Sequence, residues 1–132
     1  NWSTFSLLCT KSYCPLPLAG HSPAVLLAIG SSSKNARLIL SRIGLENAFD
    51  AISDGNNITR SKPDPEVFLK AAQMLGLQPA ECIVVEDAQA GIEAAYRGGF
   101  HGAAIGDAVK SPLAQYRISE LSELLEVVSS EA

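Results

Sequence analysis

The chain has 132 residues, of which 47 % are apolar and 18 % charged, with a formal net charge of −4. This length allows one domain with one hydrophobic core, and the composition excludes a disordered chain. The net negative charge and scattered Lys and Arg supply neither a footprint for nucleic acid nor a polybasic run for an anionic membrane, and the longest apolar stretch, Ala24 to Ile29, is too short to span a bilayer.

Residues 1–23 show neither helical nor strand periodicity. They contain Pro15, Pro17 and Pro23 among many Ser and Thr, a composition that predicts irregular structure. The first residue is Asn rather than Met, which leaves room for a start further upstream. Leu7-Leu8 is not preceded by a basic region or followed by a long apolar run, so the stretch does not read as a signal peptide. The expected compartment is therefore the cytoplasm. Cys9, Cys14 and Cys82 are odd in number and fit no zinc spacing, and reduced thiols are expected.

From Ala24 the character changes. Ala24 to Ile29 is a continuous apolar run closed by Gly30 and three serines, as suits a strand buried on both faces of a parallel sheet. Ala36, Ile39, Leu40 and Ile43 then follow a helical spacing that Gly44 ends. Phe49 to Ser53 is a short strand candidate, and Asp54-Gly55-Asn56-Asn57 is turn-rich. Asp64-Pro65 reads as an N-cap with Pro at the first helical position. Val67, Phe68, Ala71, Ala72 and Leu75 form the apolar face of the helix it opens, and Gly76 stops it.

Cys82 to Val85 is a second buried strand and ends in Glu86-Asp87. The helix after it is rich in small residues, which let it lie close to a sheet, and Gly98-Gly99 terminates it. Gly102 to Gly106 is a third core strand, with a shorter one near Tyr116 to Ile118. A last helix, with Ser119 as its cap, places Leu121, Leu124, Leu125 and Val128 on one face. Strand and helix alternate about four times, which predicts an α/β three-layer fold with a mainly parallel sheet. The expected division is an irregular segment over 1–23 and one domain over 24–132. His21 and His101 have no cysteine or acid at metal spacing and are expected at the surface.

In open α/β sheets ligands sit outside the carboxyl ends of the strands. Two strands here end in polar clusters, Gly30-Ser31-Ser32-Ser33-Lys34-Asn35 and Glu86-Asp87, and Lys62 stands in a Ser-Lys-Pro-Asp-Pro loop. Hydroxyls and backbone N–H groups at a strand-to-helix turn suit anionic oxygens, a lysine offsets the charge of a phosphoryl group, and adjacent carboxylates can hold Mg²⁺. Each piece has a plainer reading alone: a Ser-rich turn caps a helix, a Lys before Pro is solvated, and Glu-Asp closes a loop. Their shared order, each next to a sheet end, points to a phosphate site.

That order resembles the second, third and fourth motifs of the haloacid dehalogenase superfamily. The strings GSSSKNA, SKPDPEVFLKAA and VVEDAQAGIEAA are similar to its β-phosphoglucomutase branch. The resemblance runs over roughly Ala24 to Val128. It implies a Rossmann-like core acting on a phosphorylated sugar, such as a glucose phosphate, with Mg²⁺ as cofactor and a monomeric state. It assigns Ser31 to hydrogen-bond the transferring phosphoryl group, with the Ser32 N–H nearby. Ser33, Lys34 and Asn35 would contact the non-reacting phosphate, Lys62 would balance charge, and Glu86 and Asp87 would bind the metal, Asp87 foremost. Ala88 stands where relatives often have Ser.

The start departs from the family pattern. Relatives open with a central strand ending in Asp-x-Asp, whose first Asp becomes an aspartyl phosphate, followed by a helical cap. This sequence has no Asp before Asp50 and no segment matching the cap. The resemblance therefore implies an incomplete core without a cap domain, a truncated form with little activity alone. The strands beside the missing one would expose edges unless residues 1–23 or a partner fill the gap. Interconversion of β-D-glucose 1-phosphate and β-D-glucose 6-phosphate is the leading expectation. A sugar-phosphate phosphatase and a non-catalytic Mg²⁺- and phosphate-binding module are the alternatives.

Overall fold

In a computed structural model, residues 6–11, 25–31 and 33–123 are described. Strands β1 (Ser6–Lys11), β2 (Val25–Gly30), β3 (Ala51–Ser53), β4 (Cys82–Glu86), β5 (His101–Ala104) and β6 (Tyr116–Arg117) form one sheet in the order β3-β2-β1-β4-β5-β6. Helices α1 (Ala36–Arg42), α2 (Glu66–Leu75) and α3 (Gln89–Gly98) connect them. The β2/β3, β4/β5 and β5/β6 pairings are parallel, as a strand-helix alternation requires. Residues on alternate faces of the sheet serve different layers. Ala28 and Ala51 pack with Val67 and Phe68 of α2 and with Ala94 and Ala95 of α3, whereas Ile29 and Ile52 pack with Leu40 of α1.

The reading of residues 1–23 as irregular is corrected for Ser6–Lys11. β1 lies at the centre of the sheet and runs antiparallel to both neighbours, pairing Ser6–Lys11 with Gly30–Val25 and Leu7–Thr10 with Val85–Cys82. A local pattern could not announce this strand, because what orders it is the demand of β2 and β4 for hydrogen-bond partners along their facing edges. The condition under which those strands keep their pairing is thus met within the chain.

The signals around α2 fold as their chemistry dictates. Asp64 Oδ1 accepts the N–H of Glu66 at 3.0 Å, although the helix boundary itself falls one residue later, at Pro65. Gly76 ends the helix at φ 73°, the left-handed conformation that favours glycine. The stripe expected on α1 is only half covered. Ala36 and Leu40 are buried, but Ile39 is 39 % and Ile43 60 % exposed. With seven residues beside the edge strand β3, α1 has sheet under one flank only.

His101 is not a free surface residue. Its ring nitrogens lie 2.7 Å from Gln115 Oε1 and 2.9 Å from the Ala80 carbonyl, tying the start of β5 to the turn before β4. The third core strand is shifted to His101–Ala104, and the last helix is a single 3-10 turn over Leu121–Glu123 among the described residues. There Ser119 interacts with Glu123 through both its N–H and its hydroxyl. His21, Cys14 and Leu124 to Val128 lie outside the described residues.

Candidate functional site

The register brings the two polar strand ends to one edge of the sheet. Leu7 of β1 pairs with both Ile29 and Val85, so the residues after β2 and after β4 leave the sheet at the same level. β1 separates them, which sets them about 10 Å apart, two interstrand spacings. Both strands run antiparallel to β1, so Ser31 and Asp87 emerge in the same direction.

Ser31 is fully buried. Its N–H donates to the Ser53 carbonyl at 2.9 Å, which fastens the turn to β3. Its Oγ accepts the N–H of Ser33 at 3.1 Å, and Ser33 Oγ in turn accepts the N–H of Asn35 at 3.1 Å. Each hydroxyl is used here as an acceptor, which leaves its own hydrogen to donate to a ligand. Lys34 and Asn35 are exposed at the start of α1. Ser32 lies outside the described residues.

Lys62 is not the solvated side chain that its loop position suggests. Its Nζ donates to Glu86 Oε2 at 3.0 Å, with 12 % of the lysine side chain and none of the glutamate side chain exposed. The same ammonium stands 5.2 Å from the centroid of the Phe68 ring. Glu86 Oε1 accepts the N–H groups of Asp87 and Ala88, both at 3.1 Å. Both oxygens of this buried carboxylate are therefore engaged by the protein. Gly91 of α3 leaves room for it: a Cβ there would lie 2.0 Å from Glu86 Cδ.

Asp87 differs from its neighbour. Its Oδ1 is buried and has no hydrogen-bond partner among the described residues. A buried carboxylate oxygen left unpaired is costly, and a cation would satisfy it. Among the described residues no group of three or more His, Cys, Asp or Glu gathers. One carboxylate plus phosphate oxygens and water nevertheless fits the coordination habit of Mg²⁺, so the donor set present suits that ion. At the rim, Asp107 pairs with Lys110 at 3.0 Å and with Gln89 at 3.3 Å, and hydrogen bonding from these two holds its carboxyl below the ordinary aspartate range.

Sequence reasoning missed the loop after β3 as part of this edge. Asp54 is 5 % exposed; its Oδ1 accepts the N–H of Asn56 at 2.9 Å, and its own N–H donates to Asn57 Oδ1 at 2.8 Å. The Asn56 amide reaches across to the Lys34 carbonyl. The available signal was the Asp-Gly-Asn-Asn string, which reads as a turn whatever it touches.

The loop that carries Lys62 is also anchored by Glu66, whose carboxylate accepts the N–H and the hydroxyl of Thr59. These bonds, the backbone one first, hold the Glu66 carboxyl below the ordinary glutamate range. A depressed folded-state value means that the unfolded chain binds the proton more readily. The bonds thus contribute stability above the unfolded value, and that contribution disappears as pH falls through the folded one. Glu66→Gln is expected to flatten the dependence of Tm on pH across this acid window while leaving the neutral limb with its original slope. Thermal melts of both proteins from pH 3 to 7 check it, and parallel curves would show that Glu66 is not linked to folding.

The profile of the haloacid dehalogenase-like hydrolases matches residues 18–99. This chain belongs to that family. It is 37 % identical over 108 residues to β-phosphoglucomutase of Bacillus subtilis (strain 168), covering 81 % of this chain and 48 % of that protein. It is 39 % identical over 92 residues to the fructose-1-phosphate phosphatase YqaB of Escherichia coli (strain K12), covering 64 % of this chain and 48 % of that protein. Among solved structures, β-phosphoglucomutase from Clostridium difficile superposes with a TM-score of 0.70 at 32 % identity, over 76 % of this chain and 46 % of that one. The haloacid dehalogenase-like fold implied by the motif resemblance is therefore the fold observed. The chain spans about half the length of the curated relatives it matches.

Proposed function

We propose that this chain is the phosphotransfer part of a sugar-phosphate enzyme of the β-phosphoglucomutase kind, interconverting β-D-glucose 1-phosphate and β-D-glucose 6-phosphate. The observation that carries the reading is the buried Lys62–Glu86 ion pair beside the Asp87 oxygen that has no partner among the described residues, at the strand edge level with Ser31. In this reading the Ser31 hydroxyl and the Ser32 N–H hold the transferring phosphoryl group, and the Lys62 ammonium balances its charge. Ser33, Lys34 and Asn35 take the non-reacting phosphate. Asp87 holds Mg²⁺, while Glu86, whose oxygens are occupied, orients Lys62 and the Asp87 backbone instead of serving as a ligand. The ion would offset negative charge on the phosphoryl oxygens. Residues 24–132 would form the core, with Ser6–Lys11 lent to its sheet, in a cytoplasmic monomer; no helix among the described residues is long and apolar enough to cross a membrane.

These 132 residues contain no Asp-x-Asp. By itself the chain would therefore bind a sugar phosphate without turning it over, because the charge-stabilising groups have no positioned nucleophile to assist. The similarity to a fructose-1-phosphate phosphatase supports a second reading, in which water accepts the phosphoryl group. Assays on the natural gene product separate the two: isomerisation supports the mutase and phosphate release the phosphatase.

For the chain itself, calorimetric titration is expected to show glucose 6-phosphate binding that requires Mg²⁺ and yields no product. Asp87→Asn should weaken Mg²⁺ binding at least about tenfold, since it removes the one charged ligand proposed. Absence of any Mg²⁺-dependent binding by the unaltered chain would reject the reading.

A further inference from the structure

The geometry points to Asn56 as a positioning residue for the phosphate-binding turn, a role that rests on the reading above in which Ser33, Lys34 and Asn35 hold the non-reacting phosphate of the sugar. Three hydrogen bonds tie that turn to the end of β3 and the segment after it. Ser31 N–H donates to the Ser53 carbonyl at 2.9 Å, Gly55 N–H donates to the Ser33 carbonyl at 3.1 Å, and Asn56 Nδ2 donates to the Lys34 carbonyl at 3.0 Å. The first two join backbone to backbone and survive most substitutions. The third depends on the identity of residue 56.

That third bond has a particular consequence. The peptide unit between Lys34 and Asn35 is held at both ends, its carbonyl by Asn56 and its N–H by Ser33 Oγ. A planar peptide gripped on both sides cannot rotate between turn conformers. The side chains of Lys34 and Asn35 therefore leave the backbone from a fixed base, and the Ser33 hydroxyl stays in the acceptor role that frees its hydrogen for a phosphate oxygen. Asn56 is itself anchored, since its N–H donates to Asp54 Oδ1 at 2.9 Å. Asp54 is buried against the sheet end, with Arg37 Nε 3.9 Å from its Oδ2.

Asn56 is exposed, and water can replace an exposed amide-to-carbonyl bond at little cost to folding. What water cannot supply is a defined orientation of the turn before the phosphate arrives, and such preorganisation is read in affinity rather than stability.

The test is calorimetry on the full 132-residue chain with Mg²⁺ and glucose 6-phosphate, alongside thermal melts. Asn56→Ala should weaken glucose 6-phosphate binding about fivefold, the worth of one ordinary hydrogen bond, with Mg²⁺ affinity and Tm unchanged. Asn56→Gln, which keeps the amide donor on a longer arm, should recover part of that loss. Unchanged sugar-phosphate affinity in Asn56→Ala, or a loss that tracks a fall in Tm and Mg²⁺ affinity, would overturn the role. If Ser33→Ala weakens binding and Asn56→Ala does not, this inference alone fails. If the unaltered chain binds no sugar phosphate, the functional reading falls and takes the inference with it.

Discussion

Gly91→Ala is expected to lower stability by about 3 kcal/mol, in the range set by overpacking and by breaking a buried ion pair. Helix propensity argues the opposite way. An alanine inside a helix is favoured over glycine by about 1 kcal/mol, so at an open position this change would stabilise α3. Here the added Cβ would fall 2.0 Å from Glu86 Cδ and 2.1 Å from its Cγ and Oε2. The glutamate cannot swing aside without loss. Lys62 holds one oxygen and two backbone N–H groups hold the other, in a residue that is 1 % exposed. Either α3 is pushed off the sheet, opening the packing of Ile92, Ala94 and Ala95, or the carboxylate leaves its three part-buried donors behind. Urea denaturation should show a lower midpoint at an unchanged slope. A midpoint equal to or above that of the unaltered chain would mean that the helix and the carboxylate are not in contact as described.

Lys62→Met is expected to cost about 3–5 kcal/mol, the penalty for leaving a buried charge without its counter-charge. The methionine conserves most of the length and apolar body of the lysine, so packing against Phe68 is largely kept and the loss reports on charge. Glu86→Gln alone should also destabilise, since it removes the counter-charge that stands 3.0 Å from the ammonium in a site that is 12 % exposed. The double variant Lys62→Met with Glu86→Gln should recover much of the stability, because no uncompensated charge remains. A double-mutant cycle on urea midpoints measures the coupling, and additivity of the two single effects would contradict the direct pair. Sugar-phosphate binding should not return in the double variant, since the positive charge proposed to balance the phosphoryl group is still missing. Recovery of folding without recovery of binding therefore separates the structural role of the pair from its proposed role at the phosphate.

How much of this was legible along the chain follows from the range of each interaction. Apolar runs at Ala24 to Ile29 and Cys82 to Val85 announce strands because burial on both faces leaves no polar position, and both fold as β2 and β4. Asp64, Gly76 and the Gly98-Gly99 pair announce helix ends because caps are satisfied within a few residues, and Gly99 closes α3 at φ 84°. The order of the serine turn, Lys62 and the Glu86-Asp87 pair was enough to nominate a phosphate site. Its residue types were readable because strand ends in an open parallel sheet face the same way.

Other features had no local signal. Ser6–Lys11 becomes the central strand through the unfilled edges of two strands that begin 14 and 71 residues after its end, and its antiparallel direction follows from that pairing alone. The exposure of Ile39 and Ile43 depends on where the sheet stops, which helical periodicity does not record. Lys62 and Glu86 are 24 residues apart, and Asn56 lies 22 from the carbonyl it holds. Short-range chemistry in the sequence thus determined which elements form and which side chains carry charge and hydroxyls at their ends. Only the folded arrangement decided that one acid of the pair is engaged by a lysine and two amides while the other keeps an oxygen unpaired among the described residues. That division depends on how closely α3 can approach β4, a distance set by packing between elements rather than by either one alone.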